Sequence, residues 1–483
     1  MGHDARSVAH DLGLILQLPA LLALAVLPVA LFSGDSHAIA PLVGVAAVSG
    51  TAGFALMRRF RDEHTSHAWP AVEVVALGWL VLAGVAALLL WLIAFGAADD
   101  TPDRLFRDPG NAAFEALSGA TATGLSMADG VESGLSRTVQ WLRSLLQWLG
   151  GVGVVLFAIG FTHTASNVRA LYEAEGRNDD LGGSVRVTVR RTLGIYLGLT
   201  IAAVLALLPT DHTPWQALNH GVTTMATGGF TVTDESIGAY GVGTAMVTLP
   251  FMVLGSLTFV AHHVLFVQRD PGRFWRLTPV RVHVGMLVAG GVVALVVASV
   301  VAQPDTFTAV YQWVSASTTT GLTVETSQRQ WPAPLLLLVV VGMVVGAPSG
   351  STGGGIKQDR VTWLVKQAFA RRRGPRQGDV RWDGELVDAD ARRRAVTHAG
   401  AIVGLWSATL AIGVVALSAV TDAPVLDVLF DAASALSNVG LDADVVDARL
   451  SGPAKTILMA LMYLGRLELL AALTLAAQHE HAT

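Results

Sequence analysis

Ser317-Thr318-Thr319-Thr320-Gly321-Leu322, at the end of an apolar-aromatic run that starts at Phe307, decides the reading of the chain. The same order recurs three more times: a short apolar stretch, small hydroxylated residues, then a glycine with a bulky apolar residue after it. Phe114 leads to Thr121-Ala122-Thr123-Gly124-Leu125, Trp215 to Ala226-Thr227-Gly228-Gly229-Phe230, and Phe430 to Ser437-Asn438-Val439-Gly440-Leu441. Each lies between two apolar spans, and the aligned glycines are 105, 92 and 119 residues apart. The repeating unit is therefore a helix, a half-helix, a glycine loop and a second helix.

The apolar stretch before each glycine is roughly ten residues, and a bilayer crossing needs ~20. Such a segment descends partway as a half-helix and returns as extended chain. Backbone of that kind survives at membrane depth only when it is buried in protein or lines a hydrated cavity. Four such loops around a pseudo-fourfold axis would present rings of carbonyls to a dehydrated cation. Glycine allows the backbone angles that turn carbonyls inward, and the negative C-terminal ends of four half-helices would favour a cation at the centre. A single Thr-Gly turn would be unremarkable. Four in equivalent places, all on one side, point to a cation pore.

Composition agrees. Of the 483 residues, 52% are hydrophobic, only 14% are charged, 50 are glycine, and the mean hydropathy is +0.53. A soluble chain carries about 25% charged residues, so the class is a polytopic membrane protein. The absence of cysteine excludes disulfides, thiolate metal sites and cysteine nucleophiles. Apolar spans read at 12–32, 40–57, 72–96, 138–161, 191–209, 242–267, 282–302, 333–364, 396–420 and 454–477. Ten spans put both ends on one side. Ala38-Ile39-Ala40 after the first span resembles a signal-peptide cleavage site, but the apolar stretch is longer than a signal h-region, so an uncleaved helix is expected.

The side that carries both termini holds 24 of the 32 Lys and Arg residues, and the opposite loops hold six. The positive-inside rule places both termini in the cytoplasm. The outer loops, with Asp35, carry 19 Asp and Glu, either an acidic rim that steers cations inward or ordinary solvated loops. The expected organisation is two leading helices over 1–68, then pore repeats over 69–190, 191–281, 282–394 and 395–483.

These motifs resemble the Trk/Ktr/HKT potassium transporter superfamily, and further stretches are closest to its bacterial TrkH branch. They are Leu146-Gln147-Trp148-Leu149-Gly150-Gly151, Leu171-Tyr172-Glu173-Ala174-Glu175, Gly350-Ser351-Thr352-Gly353-Gly354-Gly355-Ile356-Lys357 and Leu464-Gly465-Arg466-Leu467-Glu468. The likeness covers essentially the whole chain. It implies a homodimer with one pore per subunit, and potassium, as substrate, coordinated by carbonyls around Gly124, Gly229, Gly321 and Gly440. It also implies that the glycine-rich break of the third repeat lies beneath the filter and obstructs the inner cavity, with Arg466 close to it. Relatives of this branch engage a separate cytoplasmic ring carrying nucleotide-binding domains. No Gly-x-Gly-x-x-Gly follows a strand here, so that regulator would be another polypeptide.

Gly350 to Gly355 with Lys357 is not a phosphate-binding loop, because Ile356 separates glycine from lysine and Gln358 follows. Pro348 and the glycines of 346–355 prevent a stable helix, so the segment reads as a movable gate or as a static kink. Lys357 and Arg466 are cations near membrane depth. Either repels potassium when the pore is shut or pairs with Glu468 or a carbonyl for packing. Arg143 is expected to snorkel to the outer interface. Asp442 and Asp444 beside the fourth glycine form an outer cation site or are simply solvated. Asn438-Val439 where the third loop has two threonines puts strict selectivity against sodium in question. His262 and His263 lack metal-ligand spacing and read as interfacial packing.

No catalytic triad, metalloprotease motif or phosphorylated aspartate motif is present, and no cofactor or nucleic acid is expected; membrane lipid contacts the basic segment 357–394. A membrane-embedded enzyme would need convergent acid-base or metal residues at membrane depth. A sodium- or proton-coupled carrier would favour paired intramembrane carboxylates, and only Glu73 and Glu468, far apart in the chain, qualify.

Overall fold

The computed structural model describes residues 3–60, 68–128, 130–153, 185–301, 304–325, 331–372, 381–383 and 385–468. The leading helices are α1 (His3–Ile15) and α2 (Gln17–Ser33), which together make the first span, and α3 (Ser36–Arg59). They pack outside the ring of repeats, against the first repeat. The four repeats follow as α4 (Ala68–Gly96), α5 (Pro109–Ala120) and α6 (Arg137–Val152); α7 (Val185–Leu207), α8 (Pro214–Met225) and α9 (Val242–Ser256), with α10 (Phe259–His262) and α11 (Pro271–Phe274) beyond; α12 (Thr278–Val301), α13 (Thr306–Ser317), α14 (Ala333–Val345) and α15 (Gln358–Arg372); and α16 (Ala389–Ser418), α17 (Val425–Ser437) and α18 (Gly452–Arg466). A two-residue hairpin, β1 (Arg381–Trp382) with β2 (Glu385–Leu386), lies before α16. The molecule is an all-α polytopic membrane fold.

Each repeat opens with a long apolar helix and continues with a half-helix of 12 or 13 residues. At 1.5 Å per residue these rise about 18–20 Å, well short of the ~30 Å hydrocarbon thickness. Local signals start them afresh. Asp108 accepts from the Gly110 N–H at 2.7 Å ahead of Pro109, Thr213 and Gln216 form a capping box before Pro214, and Asp305 accepts from Phe307 and Thr308. The second helix of each repeat packs on the half-helix of the next: α6 on α8, α9 on α13, α14 on α17, and α18 back on α5. This closed cycle sets the four half-helices around one axis.

Two expected spans are not single helices. The run 242–267 bends by 107° between α9 and the α10 segment. The Thr258 hydroxyl caps the new helix by accepting from Ala261 N–H at 3.1 Å, and Phe259 N–H leaves the helical pattern to donate to Gly350 O at 2.9 Å. The run 333–364 breaks, as its glycines suggested, between α14 and α15. The expected spans 138–161 and 454–477 lie partly, and the Leu171–Glu175 stretch wholly, outside the described residues.

Candidate cation-conducting site

All four half-helices end in the same way. The N–H groups of Ala122, Thr227, Thr319 and Asn438 reach back to the carbonyls of Gly119, Thr224, Ala316 and Ala435, at 3.0 to 3.2 Å. Those of Thr123, Gly228, Thr320 and Val439 reach Ser118, Thr223, Ser315 and Ser434, at 2.8 to 3.0 Å. This is the Schellman ending, which puts one residue in the left-handed region. Here it is Ala122, Thr227, Thr319 and Asn438, with φ between 49° and 54°. Asparagine tolerates that conformation. Alanine and β-branched threonine do not, and such residues cost of order 1–3 kcal/mol each, typically at functional sites.

Two residues on, Gly124, Gly229, Gly321 and Gly440 are left-handed again, with φ of 99°, 79°, 78° and 97°. A Cβ at these positions would come within 3.0 Å of the carbonyl oxygens of Gly228, Thr320, Val439 and Thr123 respectively. Each glycine therefore faces the next repeat's carbonyl in chain order, and the fourth closes on the first. The expected filter residues Thr121 to Gly124, Thr227 to Gly229, Thr318 to Gly321 and Ser437 to Gly440 are brought together around one axis. Nearly all are buried, and their amide hydrogens point back into the half-helices. Among the described residues no backbone N–H donates to the carbonyls of 121–123, 318–320 or 438–440. Buried carbonyls in that state are suited to a desolvated cation, which the half-helix C-termini also favour.

The loops are not equivalent. Gly228 stands where the others have a side chain because Gln147 occupies that space: its Nε2 donates to Gly228 O, and its Oε1 accepts from Phe230 N–H at 3.1 Å. In the fourth loop the Asn438 amide donates to Thr123 Oγ1 and to Met462 O, both at 2.9 Å, so the divergent residue ties the fourth loop to the first.

The glycine-rich segment 346–357 lies against the half-helix ends of this ring, next to Thr227, Thr319 and Ser437. Thr227 Oγ1 donates to Thr352 Oγ1 at 3.0 Å, Thr319 Oγ1 accepts from Gly354 N–H at 2.8 Å, and Ser437 O accepts from Gly355 N–H at 3.0 Å. Thr352 also donates to Gly255 O at 2.9 Å. Gly354 has no room for a side chain, because a Cβ would collide with the Ser437 carbonyl. Gly350, Ser351 and Gly353 complete the buried turn, with Ser351 bonded to Pro348 O at 2.7 Å. Lys357 Nζ donates to Gly353 O and lies 3.6 Å from Glu468, which also pairs with Arg360. Arg466 donates to Thr352 O at 3.4 Å and to Gly150 O and Gly151 O of α6, and it lies over the Trp79 ring. Arg466 thus latches the segment through a carbonyl, and Lys357 braces it from within and ties it to Glu468. The segment is bonded directly to the second, third and fourth repeats and through Arg466 to the first.

On the other side of the glycines a cavity is lined by Glu132, Asp234, Glu235, Asp442 and Asp444. Burial raises the Asp442 carboxyl above the ordinary carboxylate range, and the neighbouring Asp444 charge adds to it. Arg143 does not snorkel. It is 2% exposed, pairs with Glu115 at 2.6 Å, donates to Ser126 Oγ and Thr231 O at 2.9 and 3.1 Å, and lies over the Phe230 ring. A buried carboxylate on the neighbouring half-helix holds it inside. His262 and His263 are buried, and His262 stacks on Phe266.

Sequence reasoning missed a set of residues nine positions before each glycine: Glu115, His220, Gln312 and Asp431, all 1% exposed or less. Stepping the four-loop alignment back along the half-helices would have exposed them, since a polar residue recurs there in otherwise apolar or small-residue surroundings.

A family model, TrkH, described as a cation transport protein, matches residues 73–483. The chain is 30% identical over 377 residues, 75% of either sequence, to the Trk system potassium uptake protein TrkH of Vibrio parahaemolyticus. It is 28% identical to the protein of that name in Escherichia coli over 421 residues, 83% of this chain and 84% of that one. An uncharacterized cation transporter of Methanocaldococcus jannaschii matches at 26% over 481 residues, 98% of this chain and 96% of the other. The crystal structure of the potassium transporter TrkH from Vibrio parahaemolyticus superposes with a TM-score of 0.83 at 24% identity, covering 97% of this chain and 98% of that one. That likeness carries the fold.

Proposed function

The chain belongs to the TrkH family of cation transport proteins, and from that premise we propose that it takes up potassium through a gated central pore. The observation that carries this reading is the closed ring in which Gly124, Gly229, Gly321 and Gly440 each face the carbonyl before the next glycine. Ions enter past the acidic mouth, shed water at the carbonyls of the four loops, and meet the 346–357 segment, which must move aside for conduction. Lys357 and Arg466 hold it in place and add positive charge that opposes a cation beneath the filter. The acidic mouth faces outward and the basic side, with both termini, faces the cytoplasm of a cell bounded by this membrane. The functional unit is a homodimer with a pore in each subunit, and a separate cytoplasmic ring with nucleotide-binding domains moves the gate. The relatives' names describe potassium uptake in those proteins, which supports potassium as the substrate here.

The test is flux of potassium and of sodium into proteoliposomes, for the wild type and Gly321→Ser. A side chain at Gly321 meets both a φ of 78° and the Val439 carbonyl, so the substitution should lower the potassium-to-sodium ratio several-fold. Flux that ignores the substitution would remove the filter from these loops.

A further inference from the structure

The half-helix residue nine positions before the filter glycine does the same work in three repeats. Glu115 Oε2 accepts from Met127 N–H at 2.8 Å, His220 Nε2 from Val232 N–H at 3.3 Å, and Asp431 Oδ1 from Ala443 N–H at 2.7 Å. In each case the donor lies three residues beyond the glycine. The chain leaving the filter is thus pinned, from behind, to the half-helix that entered it. The third repeat differs. Gln312 has no side-chain hydrogen bond among the described residues, and its loop is held from the side instead, where Ser236 Oγ accepts from Thr323 N–H at 3.2 Å and Thr323 O accepts from Ile237 N–H at 3.0 Å.

A buried backbone N–H is expensive to leave without an acceptor. None of these side chains lines the cavity over the glycine ring. Their recurrence at one register in three repeats, across carboxylate and imidazole chemistry, follows the shared task of accepting one amide. Arg143 extends the brace, since it joins Glu115 to Ser126 of the first loop and to Thr231 O of the second.

We propose that Glu115, His220 and Asp431 are positioning residues of the filter, which set ion discrimination from behind by fixing the strand that leaves each glycine. This rests on the four-loop filter reading above. In a snug-fit filter, a ring of carbonyls discriminates between cations of different size as far as its radius resists deformation. Three pinned strands supply that resistance.

Asp431 gives the test, because Asp431→Asn keeps an acceptor oxygen for Ala443 N–H while Asp431→Leu, similar in size, removes it. Both variants also lose the carboxyl beside Asp442 of the mouth, so the difference between them isolates the acceptor. The same pairing at the second repeat, His220→Gln against His220→Leu, serves if Asp431→Leu does not fold. Amide hydrogen exchange over residues 441–447 (or 230–234 for the His220 pair), measured on purified protein without ion flow, is the first readout. The potassium-to-sodium flux ratio in proteoliposomes is the second. The expected result is lost amide protection and a several-fold lower ratio in the leucine variant, both restored in the amide variant. Protection that survives leucine, or a ratio that stays constant while total flux alone falls, overturns the proposal. A wild type that does not discriminate would instead count against the filter reading, and the exchange data would still decide whether the brace exists.

Discussion

Arg143 and Glu115 are both withdrawn from water, and the cost of burying either ion alone runs to several kcal/mol. Their 2.6 Å contact offsets this only because the remaining guanidinium hydrogens find Ser126 Oγ and Thr231 O and its face finds Phe230. Glu115→Gln should therefore lower stability by about 3–5 kcal/mol, the cost of stranding a buried charge, and show as a clear drop in melting temperature. Adding Arg143→Met should recover much of that loss, since an apolar pair of similar volume packs without a desolvation penalty. A double variant that melts no higher than Glu115→Gln would mean that the packing, rather than the charge, holds this corner. At this scale the four loop glycines were legible in sequence, because a left-handed backbone favours glycine. The threonines stood out by their recurrence before three of the four glycines, at Thr227 and Thr319 against conformational preference. Arg143 was not legible. Its place in the apolar run pointed to the membrane interface, and its partner lies 28 residues away on a half-helix, so only tertiary structure brings the two together.

On the proposed gating, the 346–357 segment has to be both buried and able to move. Its backbone makes no helix, and its anchors are single hydrogen bonds, each worth about 0.5–1.5 kcal/mol net: to Thr227, Thr319, Ser437 and Gly255, with the Lys357 and Arg466 latches besides. On that proposal, the sum holds a closed state without making opening prohibitive. Because the chain has no cysteine, Thr227→Cys with Thr352→Cys offers a lock without background. The hydroxyls they replace are 3.0 Å apart, near enough for a disulfide to form with small shifts. Oxidation should abolish flux and a reductant should restore it; flux that persists in the cross-linked protein would show that the segment need not move. The break was readable from Gly346, Pro348 and the glycines that follow. The 107° bend after Ser256 was not, since Leu257 and Thr258 continue an apolar run and the bend depends on Phe259 N–H finding Gly350 O on another repeat.

For the molecule as a whole, the distribution of charge matters more than the net value of -5. Acidic side chains from three of the four repeats, Glu132, Asp234, Glu235, Asp442 and Asp444, converge on one cavity directly over the glycine ring. Carboxylates around a concave mouth focus field lines and raise the local cation concentration. That effect acts over a Debye length, about 30 Å at 0.01 M salt and about 3 Å at 1 M. Neutralising Asp234 and Glu235 together, as Asn and Gln, should therefore reduce uptake several-fold from dilute potassium at low ionic strength. The deficit should shrink towards nothing as an impermeant salt is added. Both residues are exposed, and among the described residues their side-chain hydrogen bonds are those of Asp234 with Ser133, at 2.7 and 2.8 Å. A Ser133→Ala control separates that contact from the field. If the deficit is the same at every ionic strength, the acidic mouth is a structural rim, and the filter alone draws ions from solution.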